Sequence, residues 1–466
     1  MDLPKEFIEK YQKLLGDEAE AFLASLDEKS VIGFRLNPLK RHYKDVDYDL
    51  TASVPFAQDG FIGKVSGRSL EHQAGYVYSQ DLSAMYVAAV ANAQPGDKVL
   101  DLCAAPGGKS TQLAEQLNNQ GLLVSNEINT KRAKILAENM ERIGAKNVII
   151  TNESPDNLAK VFKGYFDKIV VDAPCSGEGM FRKDHSAVKY WHKDYPAECA
   201  HRQKLILEEA MKMLKTGGEL VYSTCTFAPE EDEQIVAWLL ENYDLTLEPI
   251  TKYDGMDSGR PEFADGNEDL TKTIRLMPHH FEGEGQFLAK LKFNGEAVSV
   301  AKKKAKKKKK SKTISADELD LWHKFVSDFS SQELNFADQD LRINGDYLYY
   351  YNKDWLDINK LKYVRPGLML GTFKKNRFEP SYALALAVQE AAEENVIELS
   401  KDQWAEYVAG NIIFLSGNTR KNGWYLLRCE EKNFAFGKLV NGTIKNFFPK
   451  GLRFQRWRRN GNQHKD

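Results

Sequence analysis

VLDLCAAPGGKST, residues 99–111, is the stretch whose reading decides the fold. An apolar run ends at Asp101 and Leu102, paired glycines follow at 107 and 108, and from about Ser110 onward the spacing turns helical. A strand, a Gly-rich turn and a helix in that order bring backbone close to a ligand and aim the helix's unpaired N–H groups at it. Gly108-Lys109-Ser110 looks like the end of a triphosphate-binding P-loop. That pattern needs glycine five residues before Gly108, and Cys103 stands there instead. Glu127 follows the loop by about 20 residues, at the end of the next apolar run, where an acid can bind two ribose hydroxyls. Loop and acid together predict a nucleoside-containing ligand.

Working outward, residues from about 95 to 225 repeat one rhythm of short apolar strand, polar turn and amphipathic helix, which predicts an α/β fold with a parallel sheet. The predicted strands are 98–102, 122–127, 147–151, 168–174 and 219–224. The spacing predicts a helix over 130–144 with Ile135, Leu136, Met140 and Ile143 on one face and a stop at Gly144, and a second helix over 201–214 before a turn at Thr216-Gly217-Gly218. The fourth strand runs into Asp172-Ala173-Pro174-Cys175-Ser176-Gly177-Glu178-Gly179, the fifth into Ser223-Thr224-Cys225-Thr226. Open α/β sheets bind ligands at the carboxyl ends of their strands, so an aspartate and two cysteines converge on one cleft. Cys175 and Cys225 stand among turn-forming polar residues and are candidates for reactivity. Cys199, on a helix, and Cys429, in a strand, are expected to be structural.

The five cysteines are odd in number and form no CxxC pair, so neither a disulfide framework nor a structural zinc site is expected, and no metal is. At 466 residues, with 42% hydrophobic and 28% charged, the chain is long enough for several globular domains. No apolar run reaches the length of a membrane span and the start is an acidic amphipathic helix without a signal-peptide pattern, so a cytoplasmic location is expected, away from membranes. The net charge of -2 hides an uneven distribution. Residues 301–312 carry nine lysines and 445–466 seven Lys or Arg against one Asp, leaving 49 basic residues to face 66 acidic ones in the remainder. Positive charge gathered into two short segments is the footprint of a polyanionic partner, and the lysine run also suits a solvated linker. In the tail, Phe447 and Phe448 fit the core of a small β barrel, whereas Arg453, Arg456, Arg458 and Arg459 are expected to contact phosphate.

Three motifs in order, VLDLCAAPGGKST, KIVVDAPCSGEGMFRKD (168–184) and GGELVYSTCTFAPEEDE (217–233), resemble the NOL1/NOP2/Sun family of S-adenosylmethionine-dependent RNA cytosine-5 methyltransferases. The likeness is dense from about Gln73 to Leu291, where GYVYSQDLSAM (75–85) and RLMPHHFEGEGQFLAKL (275–291) look like the flanking motifs. The carboxyl-terminal extension looks most like the bacterial small-subunit ribosomal RNA methyltransferase F group, with its PUA-like end.

The resemblance implies a Rossmann-like methyltransferase core at 76–293 between an amino-terminal RNA-binding module, 1–75, and a Lys-rich linker, 294–314. An intermediate domain at 315–395 and a PUA-like RNA-binding domain at 396–466 would follow, both β-rich. It implies Cys225 as the nucleophile, Cys175 as the cysteine that assists release and Asp172 at the ring edge of the target base. The cofactor, S-adenosylmethionine, would lie on Cys103, Ala104, Ala105, Pro106, Gly107, Gly108 and Lys109, with Glu127 at the ribose, Arg132 on the next helix and Asp172 near the methionine end. Where the family places an Asp after the third strand to meet adenine, this chain has Ser154, with Asn152 and Asp156 nearby, so that contact stays unassigned. The expected product is 5-methylcytidine. The expected partner is ribosomal RNA or the small ribosomal subunit, met by a monomer. Transfer RNA as target and a noncatalytic ribosome-assembly role are the alternatives.

Overall fold

The computed structural model describes residues 2–298, 314–329 and 331–454. The lysine run and Arg456, Arg458 and Arg459 lie outside the described residues. Helices α1 (Lys5–Leu15) and α2 (Ala19–Ser25) come first, followed by β1 (Gly33–Leu36), β2 (Gly60–Ile62), the single turn α3 (Leu70–Gln73), β3 (Val77–Gln80) and α4 (Leu82–Ala91). Then β and α alternate: β4 (Lys98–Asp101), α5 (Gly108–Leu117), β5 (Leu122–Asn126), α6 (Thr130–Ile143), β6 (Val148–Thr151), α7 (Pro155–Val161), β7 (Phe166–Asp172), α8 (Tyr195–Met213), β8 (Leu214–Thr224) and α9 (Glu233–Asn242). Strands β9 (Leu245–Glu248), β10 (Met256–Ser258), β11 (Ile274–Leu276) and β12 (Gln286–Phe293) complete this part.

The main sheet runs β10-β11-β12-β8-β7-β4-β5-β6, with β8, β7, β4, β5 and β6 mutually parallel and β12 antiparallel to β8. Chain order reverses between β4 and β7, and the crevice at that switch point is where such sheets receive ligands. Both faces of the sheet are covered, which explains the nearly continuous apolar strands. Leu100, Leu122, Val124, Ile149, Ile169 and Val171 enter one core with residues of α7, α8 and α9. Their neighbours Val99, Leu123, Val148, Ile150 and Val170 enter the other with residues of α4, α5 and α6. The strict alternation is the two-residue period of the strand.

Two local expectations need correction. On α6 the buried residues are Ala133, Leu136, Ala137, Met140 and Ile143, while Ile135 is 49% exposed. Leu136, Met140 and Ile143 form a stripe that Ala133 and Ala137 widen on one side, and Ile135, about 100° around the axis from Leu136, faces the other. Thr216-Gly217-Gly218 is a bulge inside β8, where the pairing with β7 slips, and Gly217 holds a left-handed φ of 77°.

The boundary expected after residue 75 also fails to match the first small sheet, ordered β2-β1-β3, because its third strand lies beyond it and pairs with β1 from Gly33↔Gln80 to Leu36↔Val77.

Downstream lie α10 (Ala316–Phe329), β13 (Leu341–Asn344), β14 (Tyr347–Tyr350), β15 (Tyr363–Arg365), β16 (Leu368–Lys374), β17 (Arg377–Pro380) and α11 (Tyr382–Ala387), and then β18 (Val396–Glu398), α12 (Lys401–Val408), β19 (Ile413–Phe414), β20 (Gly423–Cys429), β21 (Lys432–Val440) and β22 (Thr443–Lys445). They form a four-stranded sheet, β13-β14-β16-β17, and a five-stranded one, β18-β20-β21-β22-β19. Strand β15 leaves its own segment and pairs antiparallel with β6 at the edge of the main sheet. Lys146 pairs with Glu333 at 2.7 Å, and buried Lys40 donates to the Leu386 carbonyl at 2.6 Å. These contacts tie the downstream segment to the core. Among the described residues no helix is long and apolar enough to cross a membrane.

Candidate active site

Three loops meet at the switch point. The first leaves β4 after Asp101 and reaches α5 through Gly107, whose φ of 117° favours glycine and whose added Cβ would press on Leu136 at 3.2 Å. Asn126 braces the loop from β5, donating to the carbonyls of Leu102 and Glu153, while its own carbonyl accepts from Ala104 N at 2.8 Å. Lys109, in the first turn of α5, extends to the end of β7 and meets Asp172 Oδ2 at 2.7 Å. Burial pulls the Lys109 ammonium down, but Asp172 outweighs it and the pKa is raised, so Lys109 stays charged. Asp172 Oδ1 accepts from Ser223 Oγ at 2.8 Å and Gln286 Nε2 at 3.2 Å, which fixes the carboxylate from β8 and β12.

Cys175, beyond β7, and Cys225, beyond β8, bring their sulfurs to 3.3 Å. The contact with Cys225 and burial push the Cys175 thiol well above its ordinary value. The loops are strapped together, since Gly179 N donates to the Cys225 carbonyl at 3.0 Å and the hydroxyls of Ser176 and Thr226 lie 2.8 Å apart. Beneath them Glu231 accepts from Ser176 N at 3.0 Å and Gln203 Nε2 at 2.7 Å, and burial pushes its pKa up to about 8. Cys199 and Cys429 are buried in the cores, each thiol pushed up to about 11 by burial.

On the other side of the loop, Glu127 is 4% exposed; its Oε1 accepts from Asn129 N at 2.8 Å and Oε2 faces Arg132 at 3.4 Å. Arg132 also donates to the Ala105 carbonyl at 2.6 Å, linking the acid to the Gly-rich loop. Burial, reinforced by Asp101, Asp172 and Glu127, raises the Cys103 thiol far above its ordinary range, so this sulfur stays protonated. Asn152 donates to the carbonyls of Glu127 and Ile128 at 2.6 and 2.9 Å. Ser154 Oγ donates to Asp156. Of the three residues near the unassigned adenine contact, Asn152 is therefore committed to shaping the Glu127 turn.

Asp101 is the last residue of β4. It is fully buried, Ser110 Oγ donates to its Oδ2 at 2.7 Å, its Oδ1 has no hydrogen-bond partner, and burial pushes its pKa up to about 7. Glu178 and Glu231 stand inside the second and third motifs, yet sequence alone does not single them out, because partners such as Tyr11, Thr226 and Gln203 are distant along the chain. A Gly-rich helix entry, a buried acid one strand away and an unsatisfied carboxyl oxygen beside both fit a nucleoside cofactor carrying a positively charged group.

The family described as 16S rRNA methyltransferase RsmB/F matches residues 88–292, and the descriptions of the N-terminal, first C-terminal and PUA domains of 16S rRNA methyltransferase RsmF match 3–82, 324–388 and 394–454. A ribosomal RNA small subunit methyltransferase F of Vibrio parahaemolyticus is 32% identical, with 97% of each chain covered. Among solved structures, a methyltransferase homolog protein from Pyrococcus horikoshii is 30% identical with a TM-score of 0.56, covering 63% of this chain and 96% of that one. NSun6 from the same organism, 22% identical with a TM-score of 0.53 over 63% of this chain and 99% of that one, shares the fold.

Proposed function

Because the chain belongs to the ribosomal RNA small subunit methyltransferase F family, an S-adenosylmethionine-dependent group of enzymes, we propose that it forms 5-methylcytidine in small-subunit ribosomal RNA through a covalent bond between Cys225 and C6 of the target cytosine. The observation that carries this reading is the pair of sulfurs 3.3 Å apart beside the Lys109–Asp172 ion pair. S-adenosylmethionine, when bound, supplies a methyl group on a positively charged sulfur. We assign its binding to the loop from Cys103 to Lys109, with Glu127 accepting from the ribose hydroxyls and Arg132 holding loop and acid together.

Cytosine C5 is too electron-poor to take a methyl group unaided. A thiolate adding at C6 pushes the ring electrons toward C5 and makes it a nucleophile. We assign the addition to Cys225, and Cys175, held as a thiol, donates toward that sulfur. Negative charge then appears around N3 and O2, where Lys109 supplies positive charge from a fixed position and we assign Asp172, in its protonated form, to donate to N3. After methylation the C5 proton must leave before the Cys225–C6 bond can break. Once bonded to carbon, Cys225 sulfur is neutral, and the largest influence holding the proton on Cys175 is gone. Cys175 then gives its thiol proton to water and, as thiolate, takes the C5 proton directly or through water, while elimination returns Cys225 as thiolate, so that one proton in all passes to solvent.

A cytosine stacked in a duplex would have to be rotated out to meet these groups, so an unpaired base in folded RNA is the favoured target. The test is incubation of the protein and labelled S-adenosylmethionine with ribosomal RNA, small subunits and transfer RNA in parallel, followed by nucleoside analysis. Labelled 5-methylcytidine in the ribosomal samples is the expected result. Label confined to transfer RNA would overturn the substrate, and none in any sample would overturn the activity.

A further inference from the structure

We propose that Glu178 is a positioning residue that clamps the two cysteine-bearing loops together, and that Tyr11 of α1 ties the amino-terminal module into that clamp. The proposal rests on the roles assigned above to Cys175 and Cys225. Glu178 stands three residues after Cys175 and is fully buried. Four donors converge on its carboxylate: the Tyr11 hydroxyl, Trp191 Nε1 at 2.8 Å, Thr226 Oγ1 at 3.0 Å and the backbone N–H of Phe227 at 3.3 Å. Lys10 Nζ lies 3.9 Å away. Thr226 and Phe227 are the two residues that follow Cys225, so one carboxylate holds the backbone just beyond both sulfurs. The single Thr226 proton goes to Glu178, which leaves Ser176 to donate to Thr226 Oγ1 and close a second strap.

Among the described residues each group within hydrogen-bond distance of this carboxyl is a donor, so a carboxylate satisfies the site and an amide would not, because it would turn its NH2 against other N–H and O–H groups. Tyr11 reaches the clamp from the module that precedes the catalytic core. Burial and the adjacent Glu178 raise its pKa well above the ordinary value, so its hydroxyl keeps the proton it donates. Phe7 of α1 packs against Phe181 and Trp191, and Phe22 of α2 against Phe227 and Phe7, so apolar contacts hold α1 in place. The hydroxyl of Tyr11 is therefore dispensable for docking α1, and its hydrogen bond is directed at Glu178, on the loop that carries Cys175.

The experiment uses the full chain with Tyr11→Phe, which removes one oxygen, and Glu178→Gln, which removes the charge. Two readouts are taken. The first is the rate at which diamide, a two-electron oxidant that takes up both thiol protons, joins Cys175 and Cys225 in a disulfide without RNA or cofactor, followed by peptide mapping. The second is single-turnover methyl transfer at saturating RNA, with the KM for RNA measured separately. A displacement of about 1 Å costs up to about a hundredfold in rate, and losing one of four donors should cost about tenfold in each readout with KM unchanged. Tyr11→Phe should remain fully folded at the assay temperature, with its Tm lowered by only a few degrees, about that expected for one lost hydrogen bond to a charged group.

Disulfide formation as fast in both variants as in the parent would overturn the clamp. So would a raised KM with unchanged single-turnover rate, since α1 would then only bind RNA, or a rate loss matched by loss of folded protein. If the parent forms the disulfide readily, the variants form it slowly and no protein transfers methyl, the clamp stands and the reaction proposed above is what fails.

Discussion

Asp101 gives the most direct physical test of the cofactor loop. Its carboxyl is sealed beneath the Gly-rich turn with one hydrogen bond from Ser110 and one oxygen unpartnered, and burial moves its pKa to about 7. In an unfolded chain an aspartate titrates near 3.9, so the folded state holds this proton more firmly by about 3 units. The folded state thus pays no penalty below about pH 4, where both forms are protonated, and its stability falls as pH rises to about 7, beyond which the loss is complete. At about 1.4 kcal/mol per unit, the window from pH 5 to 7 is worth about 3 kcal/mol, an order-of-magnitude figure. Asp101→Asn keeps the shape and the acceptor for Ser110 and abolishes the titration. Relative to the parent it should therefore gain stability with rising pH. For a catalytic domain of this size about 1 kcal/mol shifts the unfolding temperature by about 2–4 °C, so the Tm difference between variant and parent should change by about 5–10 °C between pH 5 and 7.5. Differential scanning calorimetry at half-unit pH steps measures it. Parallel Tm profiles for the two proteins would refute the reasoning and mean that Asp101 is ionised throughout.

Glu127→Ala removes the acid assigned to the ribose; with charge-assisted hydrogen bonds worth about 1.5–3 kcal/mol each, S-adenosylmethionine affinity should fall by about a hundredfold in calorimetric titration, with RNA affinity unchanged. Arg453, expected from sequence to contact phosphate, instead donates to the Phe448 carbonyl and Asn446 Oδ1 at 3.2 Å, so Arg453→Ala should lower the Tm of the carboxyl-terminal unit and leave the salt dependence of RNA binding unaltered. Replacing Arg456, Arg458 and Arg459 together by Gln should flatten that salt dependence by about two to three units of log–log slope, measured by filter binding across salt concentrations.

The catalytic sheet was legible because its information is local. Val99 and Leu100, or Ile149 and Ile150, are apolar on both faces, and α6 carries its own stop signal in Gly144. The loop, Glu127, Asp172 and the two cysteines were legible for the same reason: each ends a strand, and strand ends of one parallel sheet share one edge. The small first sheet was not, since β3 looks from sequence like the approach to α4 and only its pairing with β1 places it. Phe447 and Phe448 were placed together in a core, yet Phe448 is buried while Phe447 is 38% exposed against Trp424, a distinction set by β20. Glu178 carried no signal because Tyr11 and Trp191 reach it from 167 and 13 residues away. Gln286 stands 114 residues from the Asp172 it orients.

The division of labour between the two sulfurs is the centre of the account, and one gel addresses it. Cys175→Ala and Cys225→Ala are each incubated with S-adenosylmethionine and labelled small-subunit ribosomal RNA, denatured, and separated. Cys175→Ala lacks the group that completes proton removal, so it should retain RNA in a slowly migrating band whose modified peptide contains Cys225. Cys225→Ala should give neither band nor 5-methylcytidine. A band retained by Cys225→Ala, with the RNA attached to Cys175, would contradict the assignment and exchange the two roles.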